Sequence, residues 1–164
     1  MKSLIVYCSS QGTTEKAIRI LSDRLSGEVF TLDLNKESLK MDLDNFDNII
    51  IGGSIHAGNI QKKVKQFIQE FYFELLTKEI GLFLCCMYEG DIAVEQFNQA
   101  FPVELRKSAT ALGLFGGEFI FSKMNFLEKQ IVKRVTGTKT DQMKLDVDAI
   151  KEFASRMNSS KVLA

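Results

Sequence analysis

Proline occurs once in the 164 residues, at Pro102, and tryptophan not at all. With no low-complexity tract and no internal repeat beside that single proline, the chain offers no linker or extended recognition segment. Cysteine is scarce too: Cys8, Cys85 and Cys86 make an odd set, two of them adjacent. That pattern excludes a disulfide framework and lacks C-x-x-C metal or redox spacing, so a reducing cytoplasm is the expected compartment. His56 is the single histidine, and no metal-ligand cluster, catalytic triad or carboxylate pair stands out. Charge of one sign is missing as well, because 21 Lys and Arg face 21 Asp and Glu. Nothing global then draws the chain to nucleic acid or an anionic membrane. Long apolar runs are absent: Leu4–Cys8 is too short for a signal peptide core of roughly 7–15 residues or a span of ~18.

What remains is ordinary globular composition, 45% hydrophobic and 26% charged, at a length that suits one domain over residues 1–164. Leu4–Cys8 reads as a strand covered on both faces. It breaks at Ser9, Ser10, Gln11 and Gly12; Thr14 can cap a helix carrying Ala17, Ile18, Leu21 and Leu25, which Gly27 ends. Val29–Leu34 reads as a second strand, and residues 37–47 as a short helix or an irregular crossover. A third strand, residues 48–53, ends in Gly52 and Gly53, and the spacing of Val64, Phe67, Ile68, Phe71 and Leu75 predicts a helix over 61–76. Ile80–Cys86 is a fourth strand, and residues 91–100 are helical until Pro102. Residues 109–121 suit a fifth strand bent at Gly116 and Gly117. Met124, Leu127, Ile131 and Val135 trace one further helix; Ile150, Phe153, Ala154 and Met157 trace the last. Five strands alternating with helices predict an α/β fold, an open parallel sheet with helices on both faces.

In such sheets ligands sit beyond the carboxyl ends of the strands, where the strand order reverses. The first loop, Ser9-Ser10-Gln11-Gly12-Thr13-Thr14, holds four hydroxyls, an amide and a glycine, with no cation. It matches neither the Walker A spacing nor the G-x-G-x-x-G fingerprint. Hydroxyls and backbone N–H groups at a helix start suit a monophosphate, and they equally suit a plain hydroxyl-rich helix cap.

Residues 7–15 resemble the phosphate loop of the flavodoxin family, approximately [ST]-x-[ST]-G-x-T after the first strand, with Gln11 where a hydroxyl is usual. The resemblance implies a doubly wound sheet of order 2-1-3-4-5 that binds FMN, with Ser9, Ser10, Gln11, Gly12, Thr13 and Thr14 around the phosphate. It extends to Ile49–Asn59, implying that Ser54, Ile55, His56, Ala57, Gly58 and Asn59 flank the flavin ring, Ile55 and His56 standing where many flavodoxins carry an aromatic residue. It also implies that Met87, Tyr88, Glu89 and Gly90 cover the other face. His56 is read as a ring contact, against the plainer reading of a solvated loop residue. Cys85 and Cys86 point to opposite faces if the strand runs through them, placing at least one in the core; a strained vicinal disulfide is the alternative.

The run Ile51-Gly52-Gly53-Ser54-Ile55 and the segment into Val135–Asp141 resemble a subgroup that includes menaquinone-dependent protoporphyrinogen oxidase. Six cations, Lys123, Lys129, Lys133, Arg134, Lys139 and Lys144, lie in residues 123–144 against Glu128 and Asp141. This face either meets a membrane or an acidic partner, or is a solvated helix surface. The expected activity is electron transfer through bound FMN to a redox partner protein, or an oxidoreductase reaction with a small-molecule or quinone acceptor. Family carriers are typically acidic, so the even charge balance leans towards the oxidoreductase.

Overall fold

The computed structural model describes residues 1–9, 12–119 and 142–160. The apolar runs form strands β1 (Lys2–Cys8), β2 (Glu28–Asp33), β3 (Asn48–His56), β5 (Glu79–Cys85) and β6 (Ala111–Leu114). These lie parallel in the order β2-β1-β3-β5-β6. The two-residue β4 (Asn59–Ile60) folds back antiparallel on the end of β3. With that short return strand set aside, the order is the expected 2-1-3-4-5.

Helices cover both faces because the central strands alternate large apolar side chains to either side. Leu4, Val6, Ile49, Ile51, Leu82 and Leu84 pack with Val64, Phe67 and Ile68 of α2 (Lys62–Glu70) and with Ala93 and Phe97 of α4 (Gly90–Ala100). On the opposite face Ile5, Ile50 and Phe83 meet Ala17, Ile18 and Leu21 of α1 (Thr13–Ser22). Ile150, Phe153 and Met157 of α6 (Val147–Ser159) complete that layer. Its centre is aromatic: Phe83 and Phe115 stack at 4.9 Å, and Phe153 meets Phe115 edge-on at 5.3 Å. Asp146 starts α6 by accepting from the Ala149 N–H at 2.9 Å.

Several boundaries differ from the sequence expectations, each for a local reason. The third strand does not stop at its glycines but runs through them to His56, since Gly52 and Gly53 pair with both neighbours. The helix expected over 61–76 breaks at Phe71 into α2 and the one-turn α3 (Tyr72–Leu75). Residues 37–47 take the irregular alternative, with a single 3-10 turn at Leu43–Asn45. Helix α1 ends at Ser22, five residues before Gly27, whose positive φ instead turns the chain into β2. Pro102 does not simply end α4: it stands at the N-cap of a further helix, α5 (Val103–Ser108), where a missing N–H costs nothing. The fifth strand leaves the sheet after Leu114, and β7 (Gly116–Phe119) pairs antiparallel with β8 (Gln142–Leu145). The amphipathic helix expected around 124–135 and most of the basic segment lie outside the described residues.

Phe153 contacts both partners of the aromatic stack and is 1% exposed. Phe153→Ala is expected to cost about 3–5 kcal/mol of stability, read from urea unfolding of the two chains side by side.

Candidate functional site

The chain leaves β1 to make β2 on one side, then returns to make β3 on the other, so the loops after β1 and β3 diverge from neighbouring strands. This reversal is where open α/β sheets form a crevice. Cys8 pairs with Gly53, and Ser54 pairs with Cys85, so the loops after β1, β3 and β5 emerge side by side along one sheet edge.

At the first loop, Ser9 is half-buried and its carbonyl accepts from Asn35 Nδ2 at 3.0 Å. Ser10 and Gln11 lie outside the described residues. Gly12 takes a left-handed φ of 84° as the N-cap of α1, and open space lies where a Cβ would project. Thr14 does not cap the helix as expected. It sits buried in the first turn, hydrogen-bonded with the Cys85 thiol, and the N-cap residue itself, Gly12, makes no side-chain cap. The first backbone bond of the helix runs from the Lys16 N–H to the Gly12 carbonyl, 3.0 Å. Backbone N–H groups ahead of that bond have no acceptor within the helix and carry the positive end of its dipole. A left-handed glycine, hydroxyl side chains and a helix N-terminus are the kinds of group that can donate to a small oxyanion.

Behind this loop, Asp33 is 6% exposed; its Oδ1 accepts from the Asn35 N–H at 3.0 Å, and Oδ2 lies 3.3 Å from Lys36 Nζ. Lys36 also reaches Glu15 in the first turn of α1, at 3.0 Å. Residues 33–36 thus hold the first loop from the β2 side.

The third strand ends in a tight hairpin. Ala57 and Gly58 both have positive φ, 48° and 79°, and His56 pairs with Asn59 across the turn. Ser54, Ile55 and His56 are half-buried, while Ala57, Gly58 and Asn59 form the exposed tip. Gln61 closes the network. Its Oε1 accepts from the Ser54 N–H at 3.1 Å, and its Nε2 donates to Ser54 Oγ at 2.8 Å and to the Cys8 carbonyl at 3.4 Å. Ser54 Oγ lies 3.1 Å from His56 Nε2. The sequence reading missed Gln61, Asn35 and Asp33; a polar residue just before a helix looks like any cap, so residue type carries no signal.

In the third loop, Met87 and Tyr88 are half-buried and Glu89 and Gly90 exposed. Tyr88, Glu89 and Gly90, but not Met87, line a cavity of about 630 Å³ together with Cys86, Ala93, Leu114 and Asp146. Cys85 and Cys86 do face opposite sides of the sheet, and both are buried free thiols, so the vicinal disulfide is not formed. Burial pushes the Cys85 thiol up to about 12, and burial followed by the Asp33 charge pushes Cys8 up to about 11. Burial raises Cys86 and Tyr7 as well.

A family model described as flavodoxin domain matches residues 4–146. No curated protein sequence matches the chain. Among solved structures, two-electron reduced flavodoxin from Megasphaera elsdenii is similar at TM-score 0.60 and 14% identity, over 96% of this chain and 99% of that one. Oxidised flavodoxin 1 from Bacillus cereus is similar at TM-score 0.56 and 16% identity, over 98% and 99%. A WrbA-like flavodoxin from Agrobacterium tumefaciens reaches 0.56 at 15%, over 98% and 94%. At these identities the likeness is one of fold. Among the described residues no helix is long and apolar enough to cross a membrane.

Because the thiols are held protonated, native protein at neutral pH is expected to resist alkylation, and all three cysteines to react in urea. The unfolded thiols ionise near 9 while Cys8 and Cys85 hold their protons to about 11 and about 12. Stability from this source is full below pH 9 and falls as pH rises through that window, measurable as a falling urea midpoint.

Proposed function

The chain belongs to the flavodoxin-domain family, and on that basis we propose that it binds FMN at the strand reversal and passes electrons through it. The observation that carries this reading is the start of α1 at the left-handed Gly12, where open space lies beside a helix N-terminus. Ser9, Ser10, Gln11, Gly12, Thr13 and Thr14 would hold the phosphate, by backbone N–H groups and hydroxyls. Ser54–Asn59 would flank one side of the ring, and Met87, Tyr88, Glu89 and Gly90 the other. Bound FMN supplies the one- and two-electron redox chemistry, which no side chain of this kind of site provides.

The residues of this chain then have three tasks. Asn35, Asp33 and Lys36 hold the first loop in shape. The hairpin at Ala57–Gly58 presents a short edge of backbone beside His56, while the neighbouring Ile55 packs against the core layer of α2 and α4. Tyr88 and the residues around it shield the site from the β5 side. Residues 1–164 act in this reading as one FMN-binding unit in a reducing cytoplasm, where free thiols such as Cys8, Cys85 and Cys86 persist. Electrons pass to a redox partner protein or a small-molecule acceptor.

A second reading, in the enzyme class, is oxidation of a porphyrinogen-type substrate with a quinone acceptor. It draws on the Ile51–Ile55 run, which ends in a hairpin bearing Ile55 and His56 where carriers place an aromatic residue. Quinone-dependent porphyrin fluorescence above the autoxidation rate supports it; no excess rate rejects it. Residues 123–144, the basic segment that could touch a membrane surface, belong to this reading.

The direct test is titration with FMN, followed by quenching of flavin fluorescence. The unaltered chain is expected to bind; no quenching and no spectral change would sink the proposal. Gly12→Val places a branched side chain at a positive φ and fills the open space. Strain of about 1–3 kcal/mol predicts affinity weaker by roughly tenfold or more.

A further inference from the structure

Gln61 occupies the N-cap of α2, where a short polar side chain would ordinarily accept from its own helix, yet it makes no such bond. Its amide is committed instead to the ends of β1 and β3. The commitment is reinforced from below: a Cβ on Gly53 would stand 2.5 Å from Gln61 Oε1, so the strand leaves room for that amide.

The orientation of the amide is fixed by chemistry. The Ser54 N–H only donates, so the atom facing it is the oxygen, and the nitrogen must face Ser54 Oγ and the Cys8 carbonyl. Ser54 Oγ therefore accepts a hydrogen bond from Gln61 Nε2. Its own single O–H can then donate to His56 Nε2, 3.1 Å away. In neutral His56, an Nε2 that accepts requires the proton on Nδ1.

We propose that Gln61 is a positioning residue for the flavin-side loop: through Ser54 it holds neutral His56 in the Nδ1–H form, with Nε2 turned inward as an acceptor. The inference rests on the flavin reading for its purpose, but the hydrogen-bond relay can be tested without flavin. Donation runs in one direction, from Gln61 Nε2 to Ser54 Oγ and from Ser54 Oγ to His56 Nε2. The imidazole edge at the end of β3 is thereby set, ring plane and proton together, from a residue that belongs to the following helix.

Because His56 is the only histidine, its two ring nitrogens can be read without ambiguity by proton–nitrogen correlation spectra of labelled, flavin-free protein. With the imidazole neutral, the unaltered chain is expected to show protonated Nδ1 and unprotonated Nε2. Gln61→Glu keeps an acceptor for the Ser54 N–H but presents a second acceptor to Ser54 Oγ. The serine hydroxyl then turns to the carboxylate, and His56 is expected to move towards the Nε2–H form. Ser54→Ala removes the relay while Gln61 keeps its bonds to the residue 54 N–H and the Cys8 carbonyl, and it is expected to shift the nitrogens the same way, so the idea stays testable if the Gln61 variant folds poorly. FMN affinity is expected to fall about tenfold in both, as for loss of one or two structured hydrogen bonds.

Nε2–H in the unaltered chain, nitrogen signals that neither variant changes, or altered signals with unchanged FMN affinity would each overturn the proposal. An unaltered chain that shows the Nδ1–H form but takes up no FMN would overturn the flavin reading and the flavin role of Gln61, while leaving the relay itself established.

Discussion

The close approach of β3 to its neighbours is the constraint on which both the core and the site depend. Any side chain at Gly52 would meet the ring and carbonyl of Phe83 at 2.5 Å. Phe83 is the residue on which Phe115 stacks and Phe153 rests edge-on, so the seat of α6 follows from a missing Cβ in the central strand. One residue further on, the same absence at Gly53 admits the Gln61 amide, which binds the ends of β1 and β3 together. Packing and site organisation are therefore set by one dipeptide in a strand flanked on both sides. Glycine weakens a strand interior, and its presence here makes sense only because something else fills the space.

A similar economy holds for charge. The chain is neutral overall, and opposite charges also meet beside the first loop: Lys36 lies between the buried Asp33 and Glu15, and Lys63 donates to the Leu34 carbonyl at 2.9 Å. Exposed pairs of this kind add little stability each. Their effect is positional, since they hold the β2 exit against the start of α1 while leaving the backbone N–H groups of that start as the positive feature. A loop that attracts an anion by dipole and hydroxyls alone recognises shape more than charge.

Much of this was legible in the sequence, and the reasons are specific. Leu4–Cys8, Ile49–Ile51 and Ile80–Cys86 read as covered strands because a strand buried on both faces shows a continuous apolar run. The last helix was equally clear from the spacing of Ile150, Phe153, Ala154 and Met157. What misled was punctuation. Gly52 and Gly53 look like a strand end and are instead the point of closest strand approach. Pro102 looks like a stop and is a second start. Gly116 and Gly117 look like a bulge in a fifth strand, while β7 leaves the sheet to pair with β8. In the site, hydroxyl-rich loops announce themselves by composition. Gln61 and Asn35 do not, because their roles come from what lies opposite them in space.

The thiols bear on where redox chemistry can reside. Cys85 and Cys86 are adjacent in sequence at the end of β5, as a redox pair would be, yet the pleat sends them into opposite layers. Cys8 and Cys85 ionise only far above neutrality, and Cys85 is also engaged by Thr14, one of the residues at the proposed phosphate site. A thiol must ionise to exchange or to attack, so burial keeps these side chains in their less reactive protonated form at neutral pH. Their place under the first and third loops is then one of packing: small, polarizable groups that let the start of α1 and the end of β5 come together. Under the proposed function, the electron-carrying couple belongs wholly to the bound flavin. The chain's contribution is the shape and hydrogen bonding of the crevice that receives it.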